Sequence, residues 1–205
     1  MSRRLVLATR NRGKVAELRR ILADAGLSVE LVGTEAFADL PDVAETGTTF
    51  AANALLKARA VAEHTGLPAV ADDSGLCVDA LNGMPGIFSA RWAGRHGDDP
   101  ANLDLVLGQL ADVPDGRRGA RFVCAAALCL PGGPERVVEG ELAGTLLPER
   151  RGSNGFGYDP IFVPDGHDRT TAQMSATEKD ALSHRGQAFR ALVPLVEELV
   201  DQHGS

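Results

Sequence analysis

The sequence predicts an α/β or α+β fold, and three observations carry that reading. Strand-like segments alternate with helical segments whose apolar residues recur every three to four positions. Only 4% of residues are aromatic against 44% hydrophobic overall, so the core has to be built mainly from Ala, Val and Leu, as in sheets covered by helices. The chain also begins with a strand that passes through a short polar turn into an amphipathic helix. At 205 residues and 21.5 kDa it can bury one core or two small lobes. No repeat, low-complexity tract or linker divides it, so it reads as one domain over residues 1–205.

Taken in order, Arg4 to Thr9 reads as the first strand. A helix from Lys14 follows, with Val15, Leu18, Ile21, Leu22 and Ala25 on one face and Gly26 as its stop. Ser28 to Val32 is a second short strand, and the acidic, Pro-containing stretch from Thr34 to Gly47 is a loop. Thr48 or Thr49 can cap a second helix that turns Phe50, Ala54, Leu55, Ala58, Val61 and Ala62 inward and ends at Gly66. Pro68 launches a strand over Ala69 to Ala71, which ends in Asp72-Asp73-Ser74-Gly75. That would set two carboxylates beyond the carboxyl end of a strand, where open α/β sheets present ligand groups.

Asn82 to Asp99 is an ordered Gly- and Pro-rich loop, after which Asp99-Pro100 pairs a cap with an N1 proline and opens a helix through Leu103, Val106, Leu107 and Leu110. Two long strands, Ala120 to Leu130 and Arg136 to Leu146, are joined by the Pro131-Gly132-Gly133-Pro134 turn as an antiparallel pair. Ser175-Ala176-Thr177-Glu178 has the spacing of a capping box. A last helix from Ser183 carries Phe189, Leu192, Leu195, Val196 and Leu199, with a kink expected at Pro194.

Charge narrows the function classes. A net charge of -7 argues against broad binding to a nucleic-acid backbone, which needs clustered Lys and Arg, so any phosphate ligand must be met locally. The N-terminal residues form neither a long apolar stretch nor a small-residue cleavage site, which predicts a cytoplasmic protein without a membrane partner. Cys77, Cys124 and Cys129 lack zinc-ligand spacing and read as core thiols.

Four groups of residues could carry chemistry. The turn Thr9-Arg10-Asn11-Arg12-Gly13-Lys14 lies between strand and helix, where backbone amides and a lysine can receive a phosphate. It lacks the GxxxxGK[ST] pattern and taken alone is an ordinary basic turn. Asp72 and Asp73, with Glu45 at a loop–helix junction, offer hard oxygens suited to magnesium; the plain alternative is an Asp-Ser-Gly turn and a solvated glutamate. Phe156-Gly157-Tyr158-Asp159-Pro160 could stack a base and accept its ring N–H, or be a turn with two core aromatics. Lys179, His184 and Arg185 could reach an oxo group or phosphate oxygens, or be a basic surface.

In this order these strings resemble the inosine triphosphate pyrophosphatase family, the Ham1-like pyrophosphatases of non-standard purine nucleotides. The likeness covers nearly the whole chain. It rests on Leu7-Ala8-Thr9-x-Asn11-x-x-Lys14, Glu45-Thr46-Gly47, Asn53-Ala54-x-x-Lys57-Ala58-Arg59 and Ala71-Asp72-Asp73-Ser74-Gly75-Leu76. Further along come Pro85-Gly86-Ile87-x-Ser89-Ala90-Arg91, Gly155 to Phe162, Glu178-Lys179 and Ser183-His184-Arg185-Gly186.

The resemblance implies two lobes around a long, twisted mixed sheet with an active-site cleft, a homodimer, and hydrolysis of ITP, dITP or XTP to monophosphate and pyrophosphate. It assigns Thr9, Asn11, Gly13 and Lys14 to the triphosphate, Ser74 to a phosphate oxygen, and Glu45 and Asp73 to Mg2+, with Asp73 also the general base. Lys57 would add positive charge, while Phe156, Gly157, Tyr158, Asp159, Lys179, His184 and Arg185 would form the base pocket and its approach to the phosphates. Arg10 and Arg12 depart from the neutral residues often found beside the phosphate turn, and Ser153-Asn154 precedes the aromatic turn. The rival readings are a Maf-type nucleotide pyrophosphatase and a nucleotide-binding regulator without turnover.

Overall fold

The computed structural model describes residues 3–37, 39–40 and 42–202. Ala38 and Pro41 of the expected loop, and the side chain of Leu199, lie outside the described residues. Six strands, β1 (Arg3–Leu7), β2 (Val29–Gly33), β3 (Ala69–Val78), β4 (Gly119–Cys129), β5 (Glu135–Leu146) and β6 (Phe162–Pro164), form one sheet in the order β2-β1-β3-β4-β5-β6. β1 pairs in parallel with β2 and β3, whereas β5 and β6 are antiparallel, so the sheet is mixed. The helices are α1 (Arg12–Asp24), α2 (Phe50–Thr65), α3 (Asp99–Gln109), α4 (Ala176–Leu182) and α5 (His184–Gln202). The mixed α/β class read from the sequence is the class observed.

The chain divides into two compact units, the first made of residues 1–73, 124–140 and 185–205 and the second of residues 74–123 and 141–184. In the first unit, Leu5 and Leu7 of β1, Val70 of β3, and Cys124, Ala126 and Leu128 of β4 share one core with Val15, Leu18 and Leu22 of α1 and Phe189, Leu192 and Val196 of α5. Each such fully buried large side chain stabilises by about 1.5–3 kcal/mol. Because side chains alternate along a strand, Val6, Ala69 and Ala71 point to the opposite face. There α2, which packs on β1, buries Phe50, Ala54, Ala58, Val61 and Ala62. Small alanines on both surfaces let helix and sheet approach closely, which is how so few aromatics suffice.

Local signals set these elements. Asn11 caps α1, so the helix starts at Arg12 rather than Lys14, and Ala25, expected inward, is exposed at the C-cap. The Thr49 hydroxyl accepts from the Ala52 amide, and Gly66 closes α2 at φ 66°, a left-handed conformation that glycine adopts without steric cost. Leu55 is only half-buried because the inward stripe of α2 is narrower than expected.

The second unit packs Leu76 and Val78 of β3, Leu103, Val106 and Leu110 at α3, Ala120 of β4, Leu146 of β5, and Tyr158, Ile161 and Phe162. α3 is capped by Asp98, one residue earlier than expected, which frees Asp99 for another partner; Leu107 is half-buried. Arg118, buried, donates to the carbonyls of Leu110 and Val113 at 2.8 and 3.0 Å and so satisfies backbone oxygens just past α3. The capping box of Ser175 and Glu178 opens α4 as expected. β4 and β5 are joined through residues 130–134, too short for a parallel crossover, so they are antiparallel. Pro194 lies inside α5, which continues past it. All three cysteines are buried and free.

The main correction concerns β3. Asp72 to Gly75 do not form a turn after a short strand: the strand runs on through Leu76, Cys77 and Val78, whose burial keeps it in the sheet. Its parallel neighbour β1, however, ends at Leu7 opposite Val70. The two carboxylates therefore still lie just beyond the carboxyl end of a strand, that of β1.

Candidate active site

Two carboxylate centres are built in the first unit from adjacent residues of β3. Asp72, on the α1/α5 face, is 5% exposed and accepts from Lys14 Nζ at 2.7 Å and from Arg185 Nε at 3.4 Å. Arg185 also stands 4.0 Å from Glu17. Burial disfavours the charged form of Asp72, but Lys14 and Arg185 outweigh it and hold the carboxyl well below the usual carboxylate range. Arg185 remains fully charged for the converse reason: burial opposes its charge and Asp72 more than restores it.

Asp73 points to the α2 face. Its Oδ1 accepts from Lys57 Nζ at 3.0 Å and its Oδ2 from Asn53 Nδ2 at 3.2 Å. Lys57 also reaches Glu45 Oε1 at 2.9 Å, so one ammonium holds two carboxylates. Asn53 and Lys57 are one helical turn apart on α2, and the Asn53 carbonyl oxygen takes the Gly47 amide at 2.8 Å, which ties the Glu45 loop to the helix. Burial pushes the Asp73 carboxyl above its ordinary value, with Lys57 pulling against and Glu45 adding to the rise. For Lys57, burial works against the charge, and the two carboxylates overcome it and leave its pKa raised.

The Thr9–Lys14 turn leaves β1 next to these centres. Thr9 Oγ1 accepts from the Asn11 amide at 3.1 Å, and Asn11 Oδ1 accepts from the amides of Gly13 and Lys14 at 2.9 and 3.4 Å. The Thr34 hydroxyl donates to the Thr9 carbonyl at 2.9 Å and fastens the turn to the end of β2. The amides expected to meet a phosphate are thus occupied by the helix cap in this structure. Ser74 follows Asp73 in β3 and is half-buried.

In the second unit the aromatic turn separates its residues. Phe156 is 63% exposed with Lys179 Nζ 4.8 Å from its ring centroid, a cation–π contact. Tyr158 is buried instead, its hydroxyl donating to the Ser89 carbonyl at 2.8 Å, so only one of the two aromatics presents an open face. Asp159 is also buried: it accepts from the Phe156 amide at 2.8 Å and the Thr171 hydroxyl at 2.8 Å, and it pairs with Lys179. Gly157 donates to Asp99 at 2.9 Å, the partner that the shifted α3 cap leaves available. His184 stacks on Phe122 at 5.0 Å between centroids and 12° between planes. Lys179, His184 and Arg185, one basic cluster in the sequence, thus occupy three different settings.

Asn53 has a place in one of the family strings but no role read from the sequence, which does not point to Thr171. Asn53 carried a usable signal: a polar residue on the inward stripe of α2, fully buried and one turn before a lysine. Thr171 carried none, since its partner is set by the fold alone. Among the described residues no group of three or more His, Cys, Asp or Glu is assembled for a metal. The pair Glu45 and Asp73 instead offers two hard-oxygen donors, and this fits magnesium, which typically takes one or two carboxylates and completes its shell with water and phosphate oxygens.

A model of the Ham1 family matches residues 5–195. The chain is 70% identical over 197 residues to the dITP/XTP pyrophosphatase of Streptomyces coelicolor, covering 96% of this chain and 98% of that protein. The chain belongs to the Ham1 family. Among solved structures, the nucleoside-triphosphatase or dITP/XTP pyrophosphatase of Mycobacterium abscessus is 56% identical with a TM-score of 0.81, over 94% of this chain and 99% of that one. A HAM1 protein from Coxiella burnetii is 43% identical with a TM-score of 0.89, over 96% and 99%. Ham1 membership bears out the resemblance read from the sequence and makes the chain an enzyme, a pyrophosphatase by kind. Among the described residues no helix is long and apolar enough to cross a membrane.

Proposed function

We propose that this enzyme hydrolyses non-standard purine nucleoside triphosphates, ITP, dITP and XTP, to monophosphate and pyrophosphate, using magnesium, in the cytoplasm and as a homodimer. The observation that carries the reading is the convergence of Glu45 and Asp73 on one cation position, in a chain whose relatives are named dITP/XTP pyrophosphatases. Bound at those two carboxylates, magnesium would supply charge neutralisation for the departing pyrophosphate.

The residues divide the work. Asp73, raised above the ordinary carboxylate value by burial, is the general base: it takes a proton from water as the water oxygen bonds to the α-phosphorus and the α-phosphorus–oxygen bond to pyrophosphate breaks. Thr9, Asn11, Lys14 and Ser74 bind phosphate oxygens through their side chains, and Gly13 joins them when its amide exchanges the Asn11 cap for a phosphate oxygen. Lys57 adds a charge whose attraction strengthens as the leaving group departs. Asp72 orients Lys14 and Arg185 from behind. The exposed face of Phe156 stacks the base, and Lys179 donates to a 6-oxo group, an acceptor where adenine has a donor. Tyr158 and Asp159 shape this surface from the core.

Incubation with ITP and magnesium, followed by phosphate-product analysis, tests the reading. Inosine monophosphate and pyrophosphate in equal amounts are expected; release of single orthophosphate with a diphosphate would refute it.

A further inference from the structure

An ammonium bonded to two carboxylates stands where a metal ion would stand. Lys57 Nζ lies 2.9 Å from Glu45 Oε1 and 3.0 Å from Asp73 Oδ1, and the three side chains are only 18%, 28% and 12% exposed. Two carboxylates brought this close with so little water repel one another unless a cation lies between them. The cation here is supplied by α2, whose Asn53 holds the far oxygen of Asp73.

We propose that Lys57 is the resident counter-ion of the metal site: its ammonium holds Glu45 and Asp73 together until a divalent cation takes their oxygens, and it then turns to the phosphates of the substrate. This rests on the magnesium reading above. A lysine suits the exchange because its charge rides on a flexible four-carbon stem with three rotatable donors, whereas a guanidinium would lock a planar pair. A metal ion arriving alone must strip Lys57 of both partners and leave an ammonium beside a divalent charge. A metal ion arriving with a polyphosphate brings Lys57 new oxygen partners, so the exchange proceeds without an unpaired charge. Metal and nucleotide therefore enter together, and the nucleotide-free enzyme holds metal weakly.

The test is titration of the nucleotide-free protein with Mn2+, followed by electron paramagnetic resonance, for the parent, Lys57→Met, Lys57→Gln, Glu45→Gln and Asp73→Asn. Removing the lysine charge should tighten Mn2+ binding by about tenfold or more, within the range of coupling between two ligands of one site. In chelator, Lys57→Met should also melt below the parent and regain more of its melting temperature on adding Mg2+. Lys57→Gln serves as the second charge-removing variant, with folding of each checked by circular dichroism. Unchanged or weaker Mn2+ binding in the folded lysine variants, with binding lost in Glu45→Gln and Asp73→Asn, would overturn the counter-ion role while the metal reading stands. Unaltered Mn2+ binding in Glu45→Gln and Asp73→Asn would overturn both.

Discussion

Asp72 and Asp73 are the same residue type, adjacent in one strand, and the fold makes them different chemical groups. Asp72 faces α1 and α5 and is enclosed by two cations, which keep it ionised despite burial. Asp73 faces α2 and shares a single lysine with a second carboxylate, so burial prevails and its proton affinity rises. The alternation of a β-strand performs this separation, since a step of one residue moves a side chain from one helix-covered face to the other. A permanently charged group suits holding other charges in place. A carboxylate of raised proton affinity suits taking a proton.

The largest effect should come from Asp73→Asn, which keeps the size and the Asn53 contact but removes the basic oxygen. Loss of general-base catalysis should lower turnover on ITP by about 10²- to 10⁴-fold. Circular dichroism should show a folded protein. A folded variant within a few-fold of the parent in turnover would end the distinction between the two aspartates. Asp72→Asn should act chiefly on stability, because Lys14 and Arg185 would keep their charges beside a neutral amide. Removing one partner of a buried ion pair costs about 3–5 kcal/mol, and the lower end, about 3 kcal/mol, is expected where both cations retain some solvent. Urea unfolding measures it. Turnover of the folded fraction should fall less than in Asp73→Asn, and the reverse order would exchange the two roles.

What the sequence made legible, and what it hid, follows the same division between local and distant causes. The Thr49 cap, the Gly66 stop and the Ser175–Glu178 capping box are settled within a few residues, and each stands where local reasoning put it. Asp72-Asp73-Ser74-Gly75 has the composition of a turn, yet it is strand. The apolar residues after it and the partners of Asp72, 58 and 113 residues away in the chain, decide its conformation. Tyr158 and Phe156, two positions apart in one turn, could not be told apart before the Ser89 carbonyl was seen to take the tyrosine hydroxyl. β6, three residues long, is too short to show a period at all. Most of the residues assigned to the site stand out by type and position, but their roles come from the family resemblance, whereas the bridging of Glu45 and Asp73 by Lys57 is readable only from their distances.

The smallest effect, and the one most particular to the comparison, lies in how stability depends on pH. An unfolded aspartate titrates near pH 3.9. The folded-state value of Asp72 lies below that, so its stabilising contribution is complete above the unfolded value and is lost as pH falls through it toward the folded one. The folded-state value of Asp73 lies above it, so its contribution is present below the unfolded value and is lost as pH rises through the folded one. Urea unfolding in chelator from about pH 3 to about pH 7 should separate the two. The stability gap between the parent and Asp72→Asn should stay level near neutrality and close below about pH 4. The gap between the parent and Asp73→Asn should move the other way, the variant gaining on the parent as pH rises from about 4. Parallel profiles for the two variants would mean that the faces of β3 do not set the two carboxylates apart, and the assignment of Asp73 as the base would lose its physical ground.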